Sequence, residues 1–186
     1  MELLQLTDKQ IRTIYLERIK KDFAPDEIKP LSRIRKALAE GNYACYGAFE
    51  GEQITAYAFF VLNGRCALVD YLAVREDLRG QGTGSRFLQL MMSGLMRQFD
   101  CVLLESEDPD FAEAEEERDI LNRRLRFYLR NGLTDTGVTA FVWHVHYRIL
   151  ALPVGEALSP DNVREIYSDI YHIIFPKIIY DRMVRI

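Results

Sequence analysis

Basic residues are not in excess in this chain. Its 186 residues include 24 lysines and arginines against 28 aspartates and glutamates, a formal net charge of -4. General nucleic-acid binding needs a basic surface that neutralises phosphates, and this balance argues against it. Cysteine is scarce as well. Cys45, Cys66 and Cys101 are odd in number and widely spaced, so they form neither a disulfide framework nor a metal-ligand pair. A reduced, cytoplasmic setting fits that usage. No apolar run approaches the roughly 20 residues that span a bilayer. Met1-Glu2-Leu3-Leu4 lacks the basic start and apolar stretch of a secretion signal. Histidine numbers three. His144 and His146, two apart, are expected on one face of a strand, and two histidines alone make a weak metal signal, so no metal is expected.

What is present is globular. Hydrophobic residues make up 48% and charged residues 28%, and the length suits one domain with a sizeable core. Leu3–Leu6 reads as a short edge strand. Thr7 with Gln10 spells a capping box, and Ile11, Ile14, Tyr15 and Ile19 follow at helical spacing. Pro25 and Pro30 bound a loop. Leu31–Glu40 reads as a second helix stopped by Gly41. Three strands follow at Tyr43–Phe49, Ile54–Leu62 and Cys66–Val74, joined by turns at Glu50-Gly51-Glu52 and Asn63-Gly64. A helix is expected from about Ser85 to Phe99, with Phe87, Leu88, Leu90, Met91, Leu95 and Phe99 on its apolar side. Cys101–Leu104 is a buried strand. It follows a helix, so it is expected parallel to its predecessor. Leu121, Leu125, Tyr128 and Leu129 mark a further helix ended by Asn131-Gly132. Gly137–Trp143 and Val145–Leu152 form a last strand pair. Ser159-Pro160 opens a helical tail carrying Ile166, Tyr167, Ile170, Tyr171 and Ile174. The fold class is α/β with a mixed sheet.

The most informative stretch is Val69 to Ser85. An apolar strand ends in a charged turn, and Arg79-Gly80-Gln81-Gly82-Thr83-Gly84-Ser85 then runs into a helix. A helix N-terminus offers unpaired N–H groups and the positive end of its dipole to an anion. Glycines allow close approach and positive φ. The spacing fits neither common phosphate loop. A P-loop needs Lys before Ser or Thr, and a dinucleotide fingerprint needs Gly or Ala where Ser85 stands, near a first strand. The bland alternative is a plain strand–helix turn.

Arg79-x-x-Gly82-x-Gly84, after three antiparallel strands, resembles the acetyl-CoA signature of the GNAT superfamily of N-acetyltransferases. The order of elements from about residue 1 to 152 resembles that fold too. The resemblance implies a mostly antiparallel sheet whose fourth and fifth strands splay apart. It implies an acetyltransferase domain over residues 1–152, with a helical extension, 153–186, packed on it. It also implies that Arg79, Gly80, Gln81, Gly82, Thr83, Gly84 and Ser85 hold the CoA pyrophosphate through backbone N–H groups. Leu72, Ala73 and Val74 would offer main-chain groups to the pantetheine.

Phe127-Tyr128-Leu129-Arg130-Asn131-Gly132-Leu133 is similar to the family's Tyr-x-x-x-Gly-Phe segment, with Leu133 in place of the aromatic residue. Tyr128 would protonate the departing thiolate; as a plain core tyrosine it would do nothing of the kind. Leu121 stands where many members carry an asparagine that contacts the pantetheine, and Asn122 falls one later. The nearby Arg123, Arg124 and Arg126 read as a solvated or phosphate-facing surface.

An amine acceptor must lose a proton before attack, and a carboxylate can take it. Glu105 is the first choice as base, with acceptor binding or plain structure as alternatives. Asp70 and Glu107 are its rivals. The acidic run from Glu105 to Glu117 reads as a solvated loop and helix start, or as an attractor for a cationic amine. Phe23, Glu27 and Pro30 border the expected acceptor side. Tyr167, Tyr171, Phe175 and Tyr180 read as packing residues, or as lining for the acceptor or a dimer contact.

The expectation is an acetyl-CoA-dependent N-acetyltransferase acting on a small cationic amine, as monomer or homodimer, without nucleic-acid or membrane partners. A protein N-terminus or lysine is the rival acceptor. A CoA-binding regulatory domain without transferase activity is the rival class.

Overall fold

Thr7 starts the first helix as its spelling requires. Its hydroxyl accepts from Gln10 N–H at 3.3 Å, and Gln10 Oε1 accepts from Thr7 N–H at 2.8 Å, closing the capping box. The helix α1 (Asp8–Ile14) continues through a π-helical turn at Tyr15–Ile19 into α2 (Lys20–Asp22). In this computed structural model residues 1–25, 27–94, 98–152 and 158–186 are described. Leu95, expected on a helix, lies outside them. The other helices are α3 (Leu31–Ala39), α4 (Thr83–Ser93), α5 (Glu115–Arg130), α6 (Pro160–Ile174) and α7 (Lys177–Met183). The strands are β1 (Glu2–Gln5), β2 (Tyr43–Glu50), β3 (Gln53–Asn63), β4 (Cys66–Val74), β5 (Cys101–Glu107), β6 (Thr134–Val142), β7 (Val145–Leu152) and β8 (Val184–Arg185). They form one mixed sheet in the order β1-β2-β3-β4-β5-β7-β6-β8.

The chain divides into two compact units, residues 1–62 with 69–95, and residues 63–68 with 96–186. In the first, β1, β2 and β3 pair antiparallel. Gly47 lies opposite Leu4, and a Cβ there would come within 2.8 Å of the Leu6 side chain, which would have to shift. Phe59 meets the rings of Tyr43, Tyr57 and Tyr71 edge-on at 5.7–6.2 Å. Each such buried aromatic contributes about 1.5–3 kcal/mol of burial. Phe87, Leu88 and Met91 form the buried face of α4.

In the second unit β7 lies between β5 and β6, antiparallel to both. The register sets Glu105 opposite Ile149, and Ile149 opposite Val138. Residues directly opposite share a face, so Glu105 projects to the same side as two buried aliphatics. Helix α6 packs on β6 and places Tyr167, Ile170 and Tyr171 in the core.

Five details differ from the sequence expectations. The helix after the glycine loop starts at Thr83 and stops before Gly94, so Phe99 is not on it; Phe99 is buried just ahead of β5. The fifth strand runs on to Glu107. The last pair begins at Thr134, because a bulge between Asp135 and Val138, with Gly137 at φ 71°, absorbs the break. The histidines do not share a strand face. His144 lies in the two-residue turn between β6 and β7, with Trp143 at φ 49° and His144 at φ 70°. His146 is in β7 and stacks on Phe111 at 3.6 Å. The tail is helical but closes on β8, whose Val184 pairs with Val142 of β6.

Candidate active site

The glycine loop has the conformation its composition permits. After a short 3₁₀ turn at Glu76–Leu78, Arg79 is extended. Gly80 takes φ 75° and Gly82 φ 82°, a region costly for L side chains. Gly82 is the N-cap of α4 and no side chain caps that end. A Cβ on Gly80 or Gly82 would meet nothing within 4 Å. The outer side of the loop is therefore open, and a helix start without a side-chain cap faces it. That arrangement fits an anion held by backbone N–H groups.

The loop's side chains brace the turn. Arg79 Nε donates to Val74 O at 3.1 Å, and its Nη2 is ion-paired with Asp22 of α2. Asp22 also accepts from the Tyr57 hydroxyl at 2.9 Å. Burial, and then the Asp22 charge, push the Tyr57 phenol up, so it stays a donor. Gln81 Nε2 donates to Asp77 O at 2.8 Å, and Arg75 pairs with Asp77 at 2.7 Å. Gly80, Gln81 and Gly82 are exposed, Thr83 is buried, and Leu72, Ala73, Val74, Gly84 and Ser85 are half-buried.

Asp70 stands in the same unit with its side chain only 6% exposed. It accepts from Lys29 Nζ at 2.5 Å and from the Tyr43 hydroxyl. The Tyr43 phenol is driven well up by burial and by that carboxylate. Next to it, Tyr71 hydroxyl accepts from Lys29 N–H at 2.8 Å and donates to Glu27 O at 2.9 Å. Phe23 meets the Tyr71 ring edge-on at 4.9 Å. Asp70 and Tyr71 thus fasten the segment that carries Phe23, Glu27 and Lys29.

Glu105 stands in the second unit. Its Oε1 accepts from two phenols of α6, Tyr167 and Tyr171, the latter at 2.5 Å. Their rings are 4.7 Å apart. Burial, and then the Glu105 charge, drive both phenols well up, so they remain protonated donors. Glu107, the next outward position on that face, is ion-paired with Arg124 of α5. Tyr128 lies one turn beyond Arg124 and is buried. Burial raises its phenol, Arg124 opposes that, and Glu107 adds to it. Farther along the acidic run, Arg148 binds Asp108 at 2.9 Å, Asp110 at 2.6 Å and Asp135 at 3.5 Å. That part of the run is bound to a cation of its own chain.

The structure therefore joins Arg79 to Val74, pairs Glu107 with Arg124 one turn before Tyr128, and gives Asp70 and Glu105 different partners. The partners Asp22, Lys29, Tyr167 and Tyr171 were not expected in these roles. The one available signal was the pair of tyrosines at i, i+4 in an apolar stripe, since buried phenols need acceptors.

A model of the acetyltransferase (GNAT) family matches residues 10–117. The chain belongs to the GNAT acetyltransferase family. The match includes the glycine loop, Asp70 and Glu105. No curated protein matches the sequence. Solved structures share the GNAT fold. A Bacteroides thetaiotaomicron protein assigned to the GNAT family superimposes with TM-score 0.75 at 20% identity, covering 94% of this chain and 98% of that one. The ribosomal-protein-S18-alanine N-acetyltransferase of Escherichia coli matches with TM-score 0.54 at 18% identity, over 84% of this chain and 95% of that one. An aminoglycoside 6'-N-acetyltransferase complexed with coenzyme A matches with TM-score 0.58 at 12% identity, over 84% of this chain and all of that one. GNAT membership supports an acyltransferase. The fold itself serves a protein acceptor in one of these neighbours and a small molecule in another, so it does not decide the acceptor. Among the described residues no helix is long and apolar enough to cross a membrane.

Proposed function

We propose that the chain is an acetyl-CoA-dependent N-acetyltransferase that acts on a small cationic primary amine by direct attack in a ternary complex. The observation that carries this reading is the loop at Gly80–Gly82, with two positive φ angles, an open outer side and an uncapped helix start. Backbone N–H groups from Arg79 to Ser85 would hold the diphosphate, and main-chain groups of Leu72, Ala73 and Val74 the pantetheine, with the Val74 N–H facing the developing oxyanion. The cosubstrate supplies an acetyl group activated as a thioester. Glu105 takes the proton from the acceptor ammonium. Tyr128 keeps its proton through burial and supplies it to the leaving sulfur, and the second proton that the attacking nitrogen sheds on becoming an amide returns to the phenol. Asp70 serves as an anchor rather than as base, because the Lys29 ammonium pairs its charge, whereas the donors to Glu105 are neutral phenols.

The acceptor class rests on charge. The net charge is -4, and Glu113, Glu115, Glu116 and Glu117 are exposed beyond Glu105. Such a surface raises the local concentration of a cation. The three thiols are free, which suits a cytoplasmic enzyme.

The test is thiol release from acetyl-CoA with a panel of amines: spermidine, agmatine, glucosamine, kanamycin, Nα-acetyl-lysine amide and a peptide that begins with alanine. Release with the small polycations above that with the peptide and the lysine amide is expected. Preference for either of the latter moves the acceptor to a protein. Acetyl-CoA binding without release from any amine makes the chain a binding module.

A further inference from the structure

We propose that α6 belongs to the catalytic apparatus, with Tyr167 and Tyr171 as positioning residues that hold the Glu105 carboxylate. The inference rests on the reading of Glu105 as base.

Glu105 is on a strand face it shares with Ile149 and Val138, both buried. A carboxylate among aliphatics is costly unless hydrogen bonds satisfy it. The nearest solution in chain terms would be a side chain from a neighbouring strand. Instead, two phenols one helical turn apart on α6 converge on the same oxygen, Oε1. Two donors on one oxygen fix the plane of the carboxylate, and so fix where Oε2 points.

The donors are themselves held. Tyr167 is fully buried and Tyr171 nearly so. The Tyr171 ring stacks on Phe175 at 6.0 Å, and Phe175 meets Trp143 at 5.7 Å, beside the β6–β7 turn. Trp143 N–H donates to Met183 O at 3.2 Å, and Tyr180 hydroxyl donates to Ser168 Oγ at 2.8 Å, so α7 ties α6 in place. A reacting group supported by locked neighbours keeps its aim. The support comes from residues well beyond the 10–117 stretch matched by the family model. The C-terminal segment is therefore more than a cover for the sheet.

The experiment is a mutant cycle on the panel amine with the fastest thiol release. Tyr167→Phe, Tyr171→Phe and the double change are made in the native chain and in Glu105→Gln. Arg164→Gln is the control, since it changes an exposed side chain of the same helix, paired with Asp161, without touching Glu105. In the native background the double change is expected to lower kcat about 10- to 100-fold, with KM for acetyl-CoA unchanged, as loss of an aimed base requires. In Glu105→Gln the same changes should lower kcat by less than about 2-fold, because residues acting as one unit are not additive. Arg164→Gln should leave kcat alone. Circular dichroism and thermal melting of each variant separate loss of fold from loss of aim, and each single Tyr→Phe variant repeats the cycle with less perturbation. Full kcat in the folded double variant overturns the inference and leaves Glu105 standing. So does a tyrosine effect that multiplies with that of Glu105→Gln. Full turnover in Glu105→Gln, or no release from any amine, instead overturns the underlying reading of the base, and the inference goes with it.

Discussion

Tyr171 reaches Glu105 from 66 residues downstream, with its hydroxyl 2.5 Å from Oε1. A surface helix end would have no reason to send a phenol to a strand carboxylate. Here the contact gives a core-facing charge its hydrogen bond, and it makes a C-terminal helix answerable for the state of a candidate base.

Glu105→Gln tests that base by itself. It keeps the shape and removes the proton acceptor. The expected loss in kcat is about 10²- to 10⁴-fold, the usual range for general acid–base catalysis. Acetyl-CoA affinity, measured by calorimetry, should stay within about 2-fold, since no new uniform binding term is lost. A weakened affinity with kcat intact would instead assign Glu105 to ligand binding.

Gly82→Val tests the cradle. Gly82 has φ 82° and open space around its missing Cβ, so the substitution strains the backbone without a clash. Forcing an L residue there costs about 1–2 kcal/mol. The loop should relax by moving, and acetyl-CoA affinity should fall at least about 10-fold, an effect of 1.4 kcal/mol or more. The far-UV spectrum should be unchanged. Undiminished affinity would remove the loop from the binding site.

Lys29→Met and Asp70→Asn separate anchor from catalyst. The Asp70 side chain is 6% exposed and that of Lys29 22%. Removing one partner of a buried pair costs about 3–5 kcal/mol, and partial exposure of Lys29 lowers that to about 2–4 kcal/mol for Lys29→Met in urea unfolding. Asp70→Asn should keep thiol release within about 3-fold. Abolished release at undiminished stability would make Asp70 the base.

Seven phenols, those of Tyr43, Tyr46, Tyr57, Tyr71, Tyr128, Tyr167 and Tyr171, titrate above their ordinary value, first through burial. Their protons stay on in the folded chain after the unfolded chain has lost them near pH ~10. The unfolded state then binds fewer protons, so stability falls as pH rises past that point. Urea midpoints should show no tyrosine-linked loss up to about pH 9 and decline above about pH 10. The decline should be shallower in Tyr167→Phe/Tyr171→Phe. Equal slopes for the two proteins would contradict the buried, protonated state of these phenols.

The glycine loop was legible because its chemistry is contiguous. Strand, turn, Arg79-x-x-Gly82-x-Gly84 and helix start follow one another, so spacing alone conveys the geometry. The capping box at Thr7 and Gln10 was legible for the same reason. The links of Glu105 were not. Its donors are 62 and 66 residues away, and only the register of β5 and β7 with α6 over that face brings them close. Lys29 with Asp70, and Asp22 with Arg79, are likewise 41 and 57 residues apart. The hairpin at Trp143 and His144 was misread because its two positive-φ sites lack the glycine or asparagine that such turns prefer. The π-helical turn at Tyr15–Ile19 carries no spacing signal, since its apolar residues also satisfy an α-helix.

Acetyl transfer to an amine is measured most directly by the mass of the amine after incubation with acetyl-CoA and the protein. Spermidine or another small polycation should gain one acetyl group on nitrogen, in step with free CoA. Free CoA with an unmodified amine, or an unchanged amine beside intact, bound acetyl-CoA, would contradict it.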